Sequence, residues 1–215
     1  KAFEVCVESH QGQFRQSSEE FYNHPFNVAK IIISLGMDSE SIAASLLHDV
    51  VEDTKVSLEE IKTEFGSDVA LLVDGVTKIG RIQYVSREQQ QAESLRKMLI
   101  AMGKDIRVII IKLADRLHNM RTIDSMPQEK QLEKALETIE VYAPIAHRLG
   151  IQAIKDELED ISMRHLDPIA CGQIDELLSA HSDFQEDTLK NICVKIEQRL
   201  KAEMPNVEFV LQSRV

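Results

Sequence analysis

Apolar positions recur with a helical period along nearly the whole chain. From Pro25, the run PFNVAKIIISL reaches Gly36, with proline in the first turn and glycine as a C-terminal stop. Asp38 or Ser39 can cap the next helix, where Ile42, Ala43, Leu46, Leu47, Val50 and Val51 form one apolar stripe. Ser57 and Glu60 form a capping box ahead of a helix that stops at Gly66, and Ser67 caps a further short helix. The spacing predicts helices from Ser86 to Gly103, over 105–122, over Gln128–Leu149 and over Ile151–Leu166. Val108 to Ile111 is the most apolar part of 105–122, so that helix is expected to be central. The pair Asp167-Pro168 breaks the pattern, and a long polar helix or helix pair then runs to about Glu203. Pro205 ends it, and VEFVLQSRV reads as a C-terminal strand. The expected fold is all-α, a helical bundle with a boundary near 166–170.

Composition agrees with that class. Aromatic residues are 5% of the 215, with five Pro and eight Gly, which argues against a β-sandwich. No apolar run approaches the roughly 20 residues of a membrane span. Three scattered cysteines, Cys6, Cys171 and Cys193, make neither a disulfide framework nor a zinc spacing, so a reducing cytoplasm is expected.

Charge changes the picture more. The net charge of −11 argues against DNA or a membrane surface as partner. Residues 151–215 carry 13 acids and 7 bases, whereas 76–121 carry ten bases against four acids. That basic island is either a set of solvated helix faces or a receiving surface for an anionic ligand.

Four places concentrate chemistry. His48-Asp49 falls inside the apolar stretch ASLLHDVVEDT, read as mid-helix, where an unpartnered polar pair is costly. A metal would satisfy it, and so would a hydrogen-bonded structural pair. Glu52 and Asp53 lie four residues on from His48 and Asp49, and carboxylates there oppose the helix dipole. They are a charged helix end or part of a site. Asp115, Asn119 and Thr122 share one face of the central helix. Asp115 needs a cation, either a metal or a nearby Arg116 or Arg121. His24, ahead of Pro25, would complete a two-histidine, two-carboxylate set whose nitrogen and oxygen donors suit Mn²⁺, Fe²⁺ or Zn²⁺.

These residues carry a resemblance. The order H…HD…D resembles the HD superfamily of metal-dependent phosphohydrolases. The strings GQ-x-R-x-S, HPFNVA, LLHDVVEDT, FG-x-DVA-x-LVDGVTKIG, RKMLIAM-x-KDIRVIIIKLADRLHNMRT and ETIEVYAPIAHRLGI resemble the hydrolase domain of the RelA/SpoT (long Rel) family. The resemblance runs from Gly12 to Asp167. It implies an HD-type domain over 1–167, with 168–215 as a helical connector and the start of a truncated synthetase domain. The implied reaction is Mn²⁺-dependent hydrolysis of the 3′-pyrophosphate of ppGpp or pppGpp to GDP or GTP and pyrophosphate.

Carried over by position, the resemblance implies His24, His48, Asp49 and Asp115 as metal ligands. Glu52 and Asp53 would position and activate water, Arg15 would pack on guanine, Asn119 would contact the ribose, and Thr122 would lie in the base pocket. The implied partners are the guanosine bis(diphosphate) and the synthetase and regulatory domains of a full-length cytoplasmic protein, with ribosome association through them. The loop FRQSSEEF departs from the family's KRKSGEPY, with Gln16 for lysine, Ser18 for glycine, Glu20 for proline and Phe21 for tyrosine. Two other readings are a generic HD nucleotide phosphohydrolase and a catalytically idle nucleotide-sensing module.

Overall fold

The computed structural model describes residues 1–80, 104–204 and 207. The expected helix from Ser86 to Gly103 lies outside them, as does the expected strand beyond Val207. Among the described residues the chain is helical, with one isolated antiparallel bridge between Phe14 and Glu20. It divides into two compact units, Lys1–Leu166 and Asp167–Val215.

The first unit contains α1 (Ala2–Ser9), α2 (Asn23–Ser34), α3 (Ser39–Leu47), α4 (Val50–Asp53), α5 (Leu58–Phe65) and α6 (Ser67–Gly80). It continues with α7 (Ile106–Arg121), α8 (Gln128–Glu137), α9 (Ala143–Arg148) and α10 (Gln152–Leu166). Short polar side chains start several of these helices. Asp38 accepts from the Ser41 amide at 2.8 Å, and the Ser57–Glu60 capping box forms as read. α7 is the central element, packed against α2, α6 and α10. Its Val108, Ile109, Ile111, Leu113, Ala114, Leu117 and Met120 are all buried. Each large aliphatic side chain among them contributes roughly 1.5–3 kcal/mol relative to exposure.

Three local readings need correction. His48-Asp49 is not mid-helix: α3 ends at Leu47 and α4 begins at Val50. The cause is local. His48 Nδ1 donates to the Ser45 carbonyl at 2.7 Å, the acceptor that the Asp49 amide would use in a continuing helix. The helix after Ser67 is not short, reaching Gly80 over 14 residues. The single helix expected over Gln128–Leu149 is interrupted by a π turn at Thr138–Tyr142. Pro144 follows it, and proline can neither donate to the carbonyl four residues back nor fit under the preceding turn.

α6 and α7 approach closely at Gly75. A Cβ there would lie 2.7 Å from Val108 Cγ2 and 3.0 Å from Cγ1. Both valine methyls are buried core, so Gly75→Ala is expected to destabilise the unit by about 1–3 kcal/mol. Urea unfolding checks this.

The second unit holds α11 (Pro168–Glu203), whose first turn is capped by Asp167 accepting from the Ala170 amide at 3.0 Å. Its polar character agrees with the sequence reading, as a single helix. No helix among the described residues is long and apolar enough to cross a membrane.

Candidate metal centre

Three parts of the first unit converge on one spot. α2 supplies His24 from its first turn, the α3–α4 junction supplies His48 and Asp49, and α7 supplies Asp115. The break between α3 and α4 is what turns the His48 and Asp49 side chains to the same place. His48 Nε2 lies 3.1 Å from Asp49 Oδ1. His24 Nε2 lies 3.1 Å from Asp115 Oδ1 and 3.6 Å from Asp49 Oδ2. Donor atoms of His24, His48 and Asp49 fall within 4.8 Å of one another, and Asp115 adjoins them through His24.

The proton inventory suits a cation. His48 Nδ1 carries the proton given to Ser45, so in the neutral ring Nε2 presents a lone pair. That atom is buried and makes no hydrogen bond, although Asp49 Oδ1 is 3.1 Å away. A bare nitrogen facing a carboxylate oxygen needs a positive charge between them. The donor set therefore fits a divalent ion.

The surrounding residues hold the set in place. His24 Nδ1 and His118 Nδ1 are 2.7 Å apart and share one proton. With that proton on His24, its Nε2 is free to ligate. Burial, with help from His24 and Arg15, pulls His118 down to about 4, so its ring is neutral and can accept. Burial likewise lowers the pKa of His24.

Asp115 is held at both oxygens. Lys112 Nζ lies 2.6 Å from Oδ2, and Asn119 Nδ2 donates to Oδ1 at 2.6 Å. Burial works against this carboxylate, but the Lys112 ammonium and His24 outweigh it and keep the group well below the ordinary carboxylate range. The cation beside Asp115 is thus Lys112, not the expected Arg116 or Arg121. Arg116 pairs with Glu137 at 2.8 Å and lies over the Tyr142 ring, and Arg121 pairs with Glu157 at 2.5 Å. Both arginines leave the Asp115 face of α7 and tie it to neighbouring elements.

Arg15 reaches in from the loop before α2. Its Nη2 donates to Asn119 Oδ1 at 2.7 Å, so one chain of bonds links Arg15, Asn119 and Asp115. Thr122 closes the end of α7, its hydroxyl donating to the His118 carbonyl at 3.2 Å. Asp53, the last residue of α4, is exposed, and its pKa is raised by partial burial and by the Asp49 charge. Glu52 beside it is also exposed. In the loop before α2, Ser18 takes φ 65°, a left-handed conformation that favours glycine.

Sequence reasoning missed Lys112 and His118. Each stands three residues from Asp115, and that helical spacing was the available signal. Half of the basic island is tied up in ion pairs among the described residues. Lys78, Arg107, Lys112, Arg116 and Arg121 all sit in ion pairs, and Arg81, Arg87, Arg96 and Lys97 lie outside the described residues.

A protein-family model described as an HD domain matches residues 2–152. The chain belongs to the HD domain family. Curated relatives of this HD domain agree with the RelA/SpoT resemblance. A guanosine-3′,5′-bis(diphosphate) 3′-pyrophosphohydrolase of Haemophilus influenzae is 45% identical over 92% of this chain and 29% of its own length. A GTP pyrophosphokinase of Streptomyces coelicolor is 46% identical over 94% and 24%. The bifunctional (p)ppGpp synthase/hydrolase SpoT of Escherichia coli is 43% identical over 94% and 29%. The chain therefore spans less than a third of the length of these relatives. A solved structure described as a metazoan ortholog of SpoT that hydrolyses ppGpp matches with TM-score 0.58 and 26% identity, over 77% of this chain and 93% of that one.

Proposed function

We propose that the first unit hydrolyses the 3′-pyrophosphate of ppGpp or pppGpp, giving GDP or GTP and pyrophosphate. The observation that carries this reading is the match to the metazoan ppGpp hydrolase. Nearly all of that chain, 93%, is matched by 77% of this one, so the shared part is of the size that suffices for hydrolysis there. The donor set at the α3–α4 junction supplies the chemistry such a reaction needs.

In this reading His24, His48, Asp49 and Asp115 hold a divalent ion, Mn²⁺ by the family resemblance. When bound, the ion supplies positive charge to a phosphate oxygen and acidifies water. The remaining work falls to the chain. Asp53 takes a proton from the attacking water while Glu52 orients it, and the raised pKa of Asp53 is in the direction a base requires. The water oxygen bonds to the phosphorus carried by the 3′-oxygen, that P–O bond breaks, and the 3′-oxygen takes up a proton. Arg15 packs on the guanine, Asn119 contacts the ribose and Thr122 lines the base pocket. Support comes from the Arg15–Asn119 bond, which sets both beside Asp115. Residues 168–215 act as a connector towards synthetase and regulatory domains of a cytoplasmic full-length protein, which associates with the ribosome through them.

The test is to incubate the 215-residue chain with Mn²⁺ and ppGpp. GDP and pyrophosphate are expected in equal amounts, with chelation stopping the reaction. Cleavage of other nucleotides with ppGpp untouched would favour a generic phosphohydrolase. Tight ppGpp binding without turnover would favour a sensing module.

A further inference from the structure

The turn after α1 holds a buried histidine that the proposed reaction leaves without a role. His10 is 1% exposed, and its ring stacks on Phe21 with centroids 4.5 Å apart and planes at 26°. Its Nδ1 lies 2.8 Å from Gln13 Oε1. Gln13 Nε2 donates in turn to the backbone carbonyl of Asp53 at 3.3 Å, across forty residues of sequence.

These two bonds determine each other. A carbonyl can only accept, so the amide nitrogen of Gln13 must face Asp53 and its oxygen must face His10. An amide oxygen can only accept as well, so His10 carries its proton on Nδ1. In the neutral ring Nε2 is then a bare acceptor, and it is buried with no hydrogen-bond partner. An unpaired buried acceptor is unfavourable, so packing alone gives no reason for a histidine here. What the ring offers that an apolar side chain cannot is the Nδ1–H donor.

The receiving end gives that donor a purpose. α4 has four residues, and one turn is marginal by itself even with the Asp53 amide bonded to the Asp49 carbonyl at 2.8 Å. The Gln13 bond ties that end from outside. Gln13 is itself braced, its amide donating to the His10 carbonyl at 3.0 Å and its carbonyl accepting from the Phe21 amide at 3.0 Å.

We propose that His10 is a positioning residue for the hydrolytic step: by locking the Gln13 amide it pins the end of α4 and sets where the Asp53 carboxylate meets the attacking water. The inference rests on the hydrolase reading above.

The experiment uses the full 215-residue chain with Mn²⁺ and ppGpp. His10→Phe keeps the stack on Phe21 and removes the donor. Gln13→Ala cuts the same tie from the other side. Each is expected to lower kcat about tenfold or more by misplacing the base, with KM within about twofold of wild type. Bound Mn²⁺ is expected to be unchanged. The double variant should be no slower than the slower single one, because both break one chain of contacts. His10→Asn, which returns an N–H near the Nδ1 position, should recover most of the rate.

Wild-type kcat in His10→Phe overturns the inference, as does His10→Asn being equally slow, or loss of Mn²⁺ as the cause of slowing. Ring ¹⁵N spectra of the wild type give a readout independent of turnover: an Nδ1–H tautomer at neutral pH is expected, and Nε2–H overturns the proposal. A wild-type chain that releases no pyrophosphate overturns the hydrolase reading and takes this inference with it, a result distinct from an active wild type with an equally active His10→Phe.

Discussion

Asp53→Asn is expected to keep its metal and lose its turnover. Asparagine preserves the size of the side chain and the backbone bonds at the end of α4 but cannot take a proton. General-base catalysis is worth roughly 10²–10⁴-fold, so pyrophosphate release should fall by about that factor. The proposed metal donors are His24, His48, Asp49 and Asp115, and none is altered. Elemental analysis of the purified variant should therefore match wild type. A variant with full kcat would remove Asp53 from the mechanism and leave Glu52 as the base to test. The environment of Asp53 favours the first outcome. Its partial burial and the nearby Asp49 charge both raise its affinity for a proton.

Asp49→Ala is expected to lose metal and turnover together. Asp49 is the carboxylate that faces both histidines, with Oδ1 3.1 Å from His48 and Oδ2 3.6 Å from His24. Removing it takes away the negative charge that offsets the ion and leaves two buried rings without the carboxylate they face. Altering residues that merely support a ligand costs 10–100-fold in metal affinity, so loss of a ligand should exceed about 100-fold. Isothermal titration with Mn²⁺ alongside the pyrophosphate assay separates the two losses. Near-normal affinity in this variant would move the metal away from the α3–α4 junction.

Much of this was legible in the residues. Helix starts at Asp38 and Ser57 could be read because a short polar side chain at a helix start has one dominant use. The central place of α7 followed from its unbroken run of Val108 to Ile111. The convergence of His24, His48, Asp49 and Asp115 could be anticipated, because buried carboxylates and imidazoles are too costly to scatter without partners.

What could not be read depends on competition between neighbours. The α3–α4 break is a contest for one carbonyl, and a periodic apolar stripe carries no record of which donor wins it. The choice of Lys112 over Arg116 for Asp115 turns on where Glu137 and Tyr142 sit, and both come from a distant part of the chain. The π turn was missed because the apolar pattern tolerates one extra residue in a turn, whereas Pro144 does not tolerate the regular one. The ion pairs of Lys78, Arg107, Lys112, Arg116 and Arg121 could not be read either, because charges can be counted in sequence while their partners can only be found in space.

The break at His48-Asp49 also acts as a ruler. The Asp49 carbonyl accepts from both the Glu52 amide, at 3.1 Å, and the Asp53 amide, at 2.8 Å. One peptide thus links the proposed metal-holding carboxylate to the proposed water-handling pair. Their separation along the chain is a single turn of backbone, whose far end the Gln13 bond also ties. A side-chain change within this segment leaves the spacing intact, but one added residue rotates Asp53 by about 100° around the turn. The segment can therefore vary in chemistry but not in length, and an insertion or deletion between Asp49 and Asp53 separates binding the ion from using it.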